Sequence, residues 1–139
     1  MRQGMLFLTA LLLVCLLLSS CGVSEREARD GAERFLLAVQ NGDYETAAAQ
    51  MHPTYRASAE ELREYLSAVE DSLGIRFADG MILSGYTSFQ KDDHHPTVGG
   101  AYAVLEGTMD VGTAAVRFIV TVIRDGDGYG IFNIRFESA

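Results

Sequence analysis

Tryptophan is absent from this chain of 139 residues, which has two prolines, two cysteines and, at Lys91, a single lysine. With 11 basic against 19 acidic residues the formal net charge is -8. Phosphate backbones are held by clustered cations, so this balance argues against nucleic acid as a partner. A hydrophobic share of 48% is too high for a disordered chain, and no Gly-X-Y period suggests a fibre. The length allows one domain. The Gly-x-Ser-x-Gly elbow, the phosphate loop and the dinucleotide fingerprint are all missing, so these common enzyme classes have no foothold in the sequence. Both cysteines, Cys15 and Cys21, fall near the start, so the rest of the chain has no thiol for a disulfide, a metal or a nucleophile.

The start of the chain is its most informative part. Arg2 precedes an apolar run from Met5 to Leu18, broken by Thr9, and Ser19, Ser20, Cys21 and Gly22 follow. A charged start, a short apolar stretch and small residues at its end match an export signal. The run is short for a membrane span, which needs about 20 apolar residues. Leu18-Ser19-Ser20-Cys21 resembles the bacterial lipobox. That resemblance implies a diacylglyceryl group on the Cys21 thiol and cleavage between Ser20 and Cys21. It divides the chain into a lipoprotein signal peptide (1–20), a lipidated cysteine with a short tether (21–23) and a folded domain (24–139). It also implies a lipid anchor on the extracytoplasmic side of the cell membrane. A plain cleaved signal or an uncleaved anchor are the alternatives.

Helical spacing dominates up to about Gly74, and two-residue alternation dominates after it. Ser24 and Glu27 have capping-box spacing, and Ala28, Ala32, Phe35, Leu36 and Val39 form one stripe of a helix ending at Gln40. The pairs Glu25–Arg29 and Asp30–Arg34 read as a solvated face, and Gly31 weakens the helix. A short helix begins at Asp43. A third follows Ser58, with Leu62, Tyr65, Leu66, Val69 and Leu73 inward and Gly74 as its stop. Strands are expected at Met81 to Gln90, Ala101 to Met109, Ala114 to Arg124 and Gly130 to Glu137. Val116, Phe118, Val120 and Val122 line one face of the third strand, with Ile119 and Ile123 on the other. Phe132, Ile134 and Phe136 are expected as the buried face of the fourth. The glycines of Asp125-Gly126-Asp127-Gly128 suit a hairpin turn. Helices first and strands last is an α+β pattern, three helices covering one face of a four-stranded antiparallel meander.

Phe35-Leu36-Leu37-Ala38-Val39-Gln40-Asn41-Gly42-Asp43-Tyr44 and Asp127-Gly128-Tyr129-Gly130-Ile131-Phe132-Asn133-Ile134 are similar to segments of the nuclear-transport-factor-2-like (cystatin-like cone) superfamily. Many of its members have tryptophan and a cation where Tyr129 and Gly130 stand here. The resemblance implies a curved, cone-like sheet wrapped on the helices, holding a ligand, an active site or nothing. Ketosteroid-isomerase-like members use a carboxylate base and a proton donor in the cone. The candidates here are Asp110, Glu106, Tyr86 and Tyr102, and Arg117 would anchor an anion. Tyr86, Tyr102 and Arg117 are thus the expected cone pocket, against an ordinary structural role for each.

Lys91-Asp92-Asp93-His94-His95-Pro96 reads as a polar hairpin loop and not a metal site, because adjacent residues seldom converge on one ion. His52, before Pro53, reads as a helix-end cation or polar cap. No cofactor is expected. The leading expectation is a non-catalytic binding or scaffold domain for an envelope protein or a small ligand. Its rival is a small enzyme or lipophilic-ligand carrier using the cone. A homodimer through the Ile119–Ile123 face is a third reading.

Overall fold

The structure is a computed structural model and describes residues 22–139. The expected signal peptide and the Ser20–Cys21 junction lie outside the described residues. Helix α1 spans Glu25–Gln40, α2 spans Tyr44–Ala49 and α3 spans Ala59–Leu73, and a single 3-10 turn at Phe77–Asp79 leads into the sheet. The strands are β1 (Met81–Asp92), β2 (Ala101–Val111), β3 (Ala114–Asp125) and β4 (Gly128–Ser138). They pair antiparallel in the order β1-β2-β3-β4. The fold is α+β, with helices followed by a curved, unclosed meander, as the sequence pattern indicates.

Local chemistry starts and stops each helix. The Ser24 hydroxyl accepts from Glu27 N at 3.1 Å, but the Glu27 carboxylate turns to Arg124 on β3. At α3 the capping box is complete, since Ser58 Oγ accepts from Glu61 N and Glu61 Oε2 from Ser58 N. Gly74 then takes φ 66°, a left-handed conformation that glycine adopts without strain, and ends α3. Ala28, Ala32, Phe35, Leu36 and Val39 are all buried on α1, as their spacing requires.

One face of the sheet meets the helices. Register places Ala103, Leu105, Gly107 and Met109 of β2 opposite Val122, Val120, Phe118 and Val116 of β3, and all eight are buried. Gly107 is needed there, because a Cβ would collide with the Phe118 ring and the Gly85 carbonyl. The space between sheet and helices is filled by Phe35, Leu66, Leu105, Phe118 and Val120, each fully buried.

The opposite face carries a second, smaller cluster. The His95 ring packs at 4.9 Å from Tyr102 and 5.2 Å from Phe132, and Tyr55 bridges Phe132 to His52. Ile123 lies opposite Tyr102 in the ladder and is 0% exposed, while Ile119 is 7% exposed. The two isoleucines are therefore already covered within one chain, and they do not form the open apolar face expected for pairing of two copies.

Phe132 departs from its expected place because of a bulge. Thr121 pairs with Asn133 and Val122 with Ile131, so Phe132 is an extra residue and its ring turns to the outer cluster. Ile131 takes its place on the core face beside Ile134. Chain crossing explains another feature of β4. Ile131 N donates to Gln50 O at 3.0 Å and His52 N to Ile131 O at 2.9 Å, a short parallel pairing at the β4 edge. The chain passes so close that a Cβ at Gly130 would stand 2.7 Å from His52 Cα.

His52 is fully buried and lies beyond the end of α2, whose C-cap is Gln50. Its Nδ1 accepts from Thr54 N at 3.1 Å, which leaves Nε2 to donate to Asp125 Oδ1 at 2.8 Å. Asp125 Oδ1 also accepts from Asp127 N at 2.9 Å. The β3–β4 turn is thus held by the Asp125 carboxylate, and among its glycines only Gly128 has positive φ.

Candidate functional site

The three residues expected to line a cone pocket are not brought together. Tyr86 pairs with Gly107 and so faces the helices, whereas Tyr102 and Arg117 occupy the alternate register positions of the outer face. The Tyr86 hydroxyl donates to Glu33 Oε1 at 2.6 Å, and the Arg29 guanidinium lies 4.3 Å from its ring centroid. Burial, then the hydrogen bond to Glu33, pushes its ionisation above the usual tyrosine range. Arg117 donates to Glu106 at 2.7 Å and to Glu137 at 3.3 Å, which ties β2, β3 and β4 together on the outer face. Those bonds, led by Glu106, raise its pKa further and leave its charge spent on protein carboxylates. Asp110 is exposed near the β2–β3 turn.

The polar loop after β1 also has a structural task. His95 Nδ1 accepts from Thr97 N at 3.2 Å and Val98 N at 3.3 Å, so its ring closes the loop over the outer cluster. Among the described residues no three His, Cys, Asp or Glu side chains come together in a way that would hold a metal ion. No helix of the described residues is long and apolar enough to cross a membrane.

Unspent polar groups converge elsewhere. A cleft of about 290 Å³ opens between α1, the end of α2 and the start of β4, lined among others by Asp30, Gly31, Arg34, Gln50 and Tyr129. Glu27, which also lines it, is ion-paired to Arg124, whose guanidinium lies 4.8 Å from the Tyr129 ring centroid. The Tyr129 hydroxyl is buried and has no hydrogen-bond partner. Burial, then the nearby Glu27 carboxylate, pushes its pKa up to about 12, so it stays a neutral donor. The expected Asp30–Arg34 ion pair does not form among the described residues, whereas Glu25–Arg29 closes to 2.6 Å. All four side chains are exposed, so this part of α1 is a solvated face, as the sequence reading has it.

Gly31 lines this cleft. It sits in the middle of α1, yet a Cβ there would meet nothing within 4 Å. No neighbour requires glycine at this position. The one signal in the sequence was Gly31 itself, a helix-weakening residue in an otherwise well-formed amphipathic pattern. Tyr129 and Gln50 gave none, because their approach to Asp30 and Arg34 depends on the pairing of Gln50 and Ile131.

No protein-family model matches the chain, and no curated protein matches it.

Proposed function

We propose that the chain is a membrane-anchored extracytoplasmic lipoprotein whose folded part is a non-catalytic binding domain, with a nuclear-transport-factor-2-like relationship. The lipobox-like Leu18-Ser19-Ser20-Cys21 carries the anchoring part of this reading. Burial of Val23 at 3% exposure supports it, since the domain then begins two residues after the lipid. Two residues span at most about 7 Å, so the domain would stand directly on the bilayer. A shallow depression lined by Gly22, Val23, Lys91, Asp92 and Asp93 is the part of the surface nearest the anchor. More than one acyl chain is needed for stable anchoring, at about 0.8 kcal/mol per buried methylene.

The binding part rests on the α1 cleft. A lipophilic carrier or a cone enzyme would use the space between sheet and helices, and side chains fill that space. The cleft instead offers the exposed side chains of Asp30 and Arg34 at the surface. Palmitate labelling of the wild type and Cys21→Ser tests the anchor: label is expected in the wild type alone, and equal labelling would overturn it. Chemical cross-linking in cells, with and without Cys21, tests the binding role. Partner adducts that require the lipid are expected, and an unchanged pattern would remove anchoring from the function.

A further inference from the structure

We infer that one end of the domain lies against the phospholipid headgroups of the bilayer: the end formed by the start of α1, the β1–β2 loop (residues 93–100) and the β3–β4 turn. The β2–β3 turn then points away from the membrane. This inference rests on the lipoprotein reading above and names the surface that meets the lipid. Three observations carry it. First, the chain leaves the core at this end with almost no slack. Val23 is buried, and Gly22 lies against Lys91, Asp92 and Asp93 at the end of β1. Gly22 alone separates the core from Cys21, and two residues reach at most about 7 Å. A lipid on Cys21 therefore enters the bilayer beside the last residues of β1.

Second, strand register fixes what surrounds that exit. Asp92 pairs with Tyr102, Ala101 with Arg124 and Asp125 with Gly128, so the β1–β2 loop and the β3–β4 turn share one end of the sheet. The Glu27–Arg124 ion pair brings the start of α1 to the same end. From there α1 runs the other way, and Gln40, its last residue, accepts from Met81 N at the start of β1. The β2–β3 turn stands at that far end, where Gly112 N donates to Gly80 O at 3.2 Å. A strand of 11 residues, as β2 is, measures about 35 Å, so the far end is out of reach of the headgroups.

Third, the loop at the exit is already folded. His95 N donates to Gly100 O at 2.8 Å and Gly99 N to His95 O at 3.0 Å, which leaves Pro96 and Thr97 exposed between them. The alternative pose lays the domain on its side, on α3. That would press exposed Glu60, Glu61, Glu64 and Asp71 against the headgroup phosphates, with Arg63 to offset them.

The test places a fluorescent probe at three exposed positions, through Thr97→Cys in the β1–β2 loop, Thr113→Cys in the β2–β3 turn and Ser67→Cys in α3. Each chain is expressed with its leader in a bacterium and isolated from membranes, and its mass shows whether Cys21 carries lipid. The lipidated chains are reconstituted into phosphatidylethanolamine and phosphatidylcholine vesicles in which some headgroups carry a nitroxide quencher. The probe at Thr97 should lose most of its fluorescence, the one at Thr113 almost none, and the one at Ser67 an intermediate share. No loss at Thr97, equal loss at Thr97 and Thr113, or greater loss at Ser67 than at Thr97 would each overturn the orientation. A chain whose mass shows no lipid would instead remove the anchor, so the two failures are told apart.

Discussion

At the scale of single residues, Gly130 and Asp125 show how one atom can hold an element in place. A methyl group at Gly130 would strike the backbone of Met51 and His52, where no rotamer change can relieve it. Gly130→Ala should therefore cost about 3 kcal/mol or more, measured by urea unfolding, while Gly126→Ala, with open space around it, should cost far less. Asp125 makes a different prediction. Burial opposes its charge, but the bonds from His52 and from Asp127 N win, and its pKa lies below the ordinary 3.8. The folded state thus binds this proton less readily than the unfolded one. The contribution is complete above the ordinary carboxylate value and is lost as pH falls through the folded value. Asp125→Asn should flatten the acid limb of the stability curve between neutral pH and the unfolding region, and an unchanged limb would contradict the assignment.

At the scale of elements, the helices differ in what completes them. The Ser58–Glu61 box closes in both directions, so Ser58→Ala should lower stability by about 1 kcal/mol. Glu27 is shared with Arg124, so α1 begins with one side-chain cap and a tertiary ion pair. Gly31→Ala should stabilise α1 by about 1 kcal/mol, because alanine relieves the helix and meets no neighbour. Denaturant midpoints of the two variants should move in opposite directions. The strands were legible in their order and inner faces because alternation is a local signal. Val116, Phe118, Val120 and Val122 share the core face for that reason. Phe132 was not legible: one inserted residue reverses the parity of the strand, and nothing in the local pattern marks it.

At the scale of the whole molecule, the boundary of the domain bears on function. The sequence pattern placed the folded unit from residue 24, whereas the buried Val23 belongs to the core. A chain starting at Val23 should melt like one starting at Gly22. A chain starting at Ser24 should lose about 1.5–3 kcal/mol, the value of burying an aliphatic side chain such as valine. Equal melting of the two would mean that Val23 is a tether after all. In the proposed anchored form, the same boundary would hold the domain close to the membrane, because Gly22 alone separates the core from Cys21.

The sequence by itself determined the element order, the caps of α1 and α3 and the core face of β3, since each depends on residues close together in the chain. Tertiary structure decided which polar groups are spent and which are free. His52, read locally as a helix-end cation or polar cap, meets Asp125 across 73 positions and is fully buried. Tyr86 and Arg117 find carboxylates on other elements, while Asp30, Arg34 and Tyr129 are left facing one cleft. Such partnerships form between residues far apart in the chain, set by strand register and by the pairing of the Gln50–His52 segment with the edge of β4. Periodicity reports which way a side chain points, but not what it meets there.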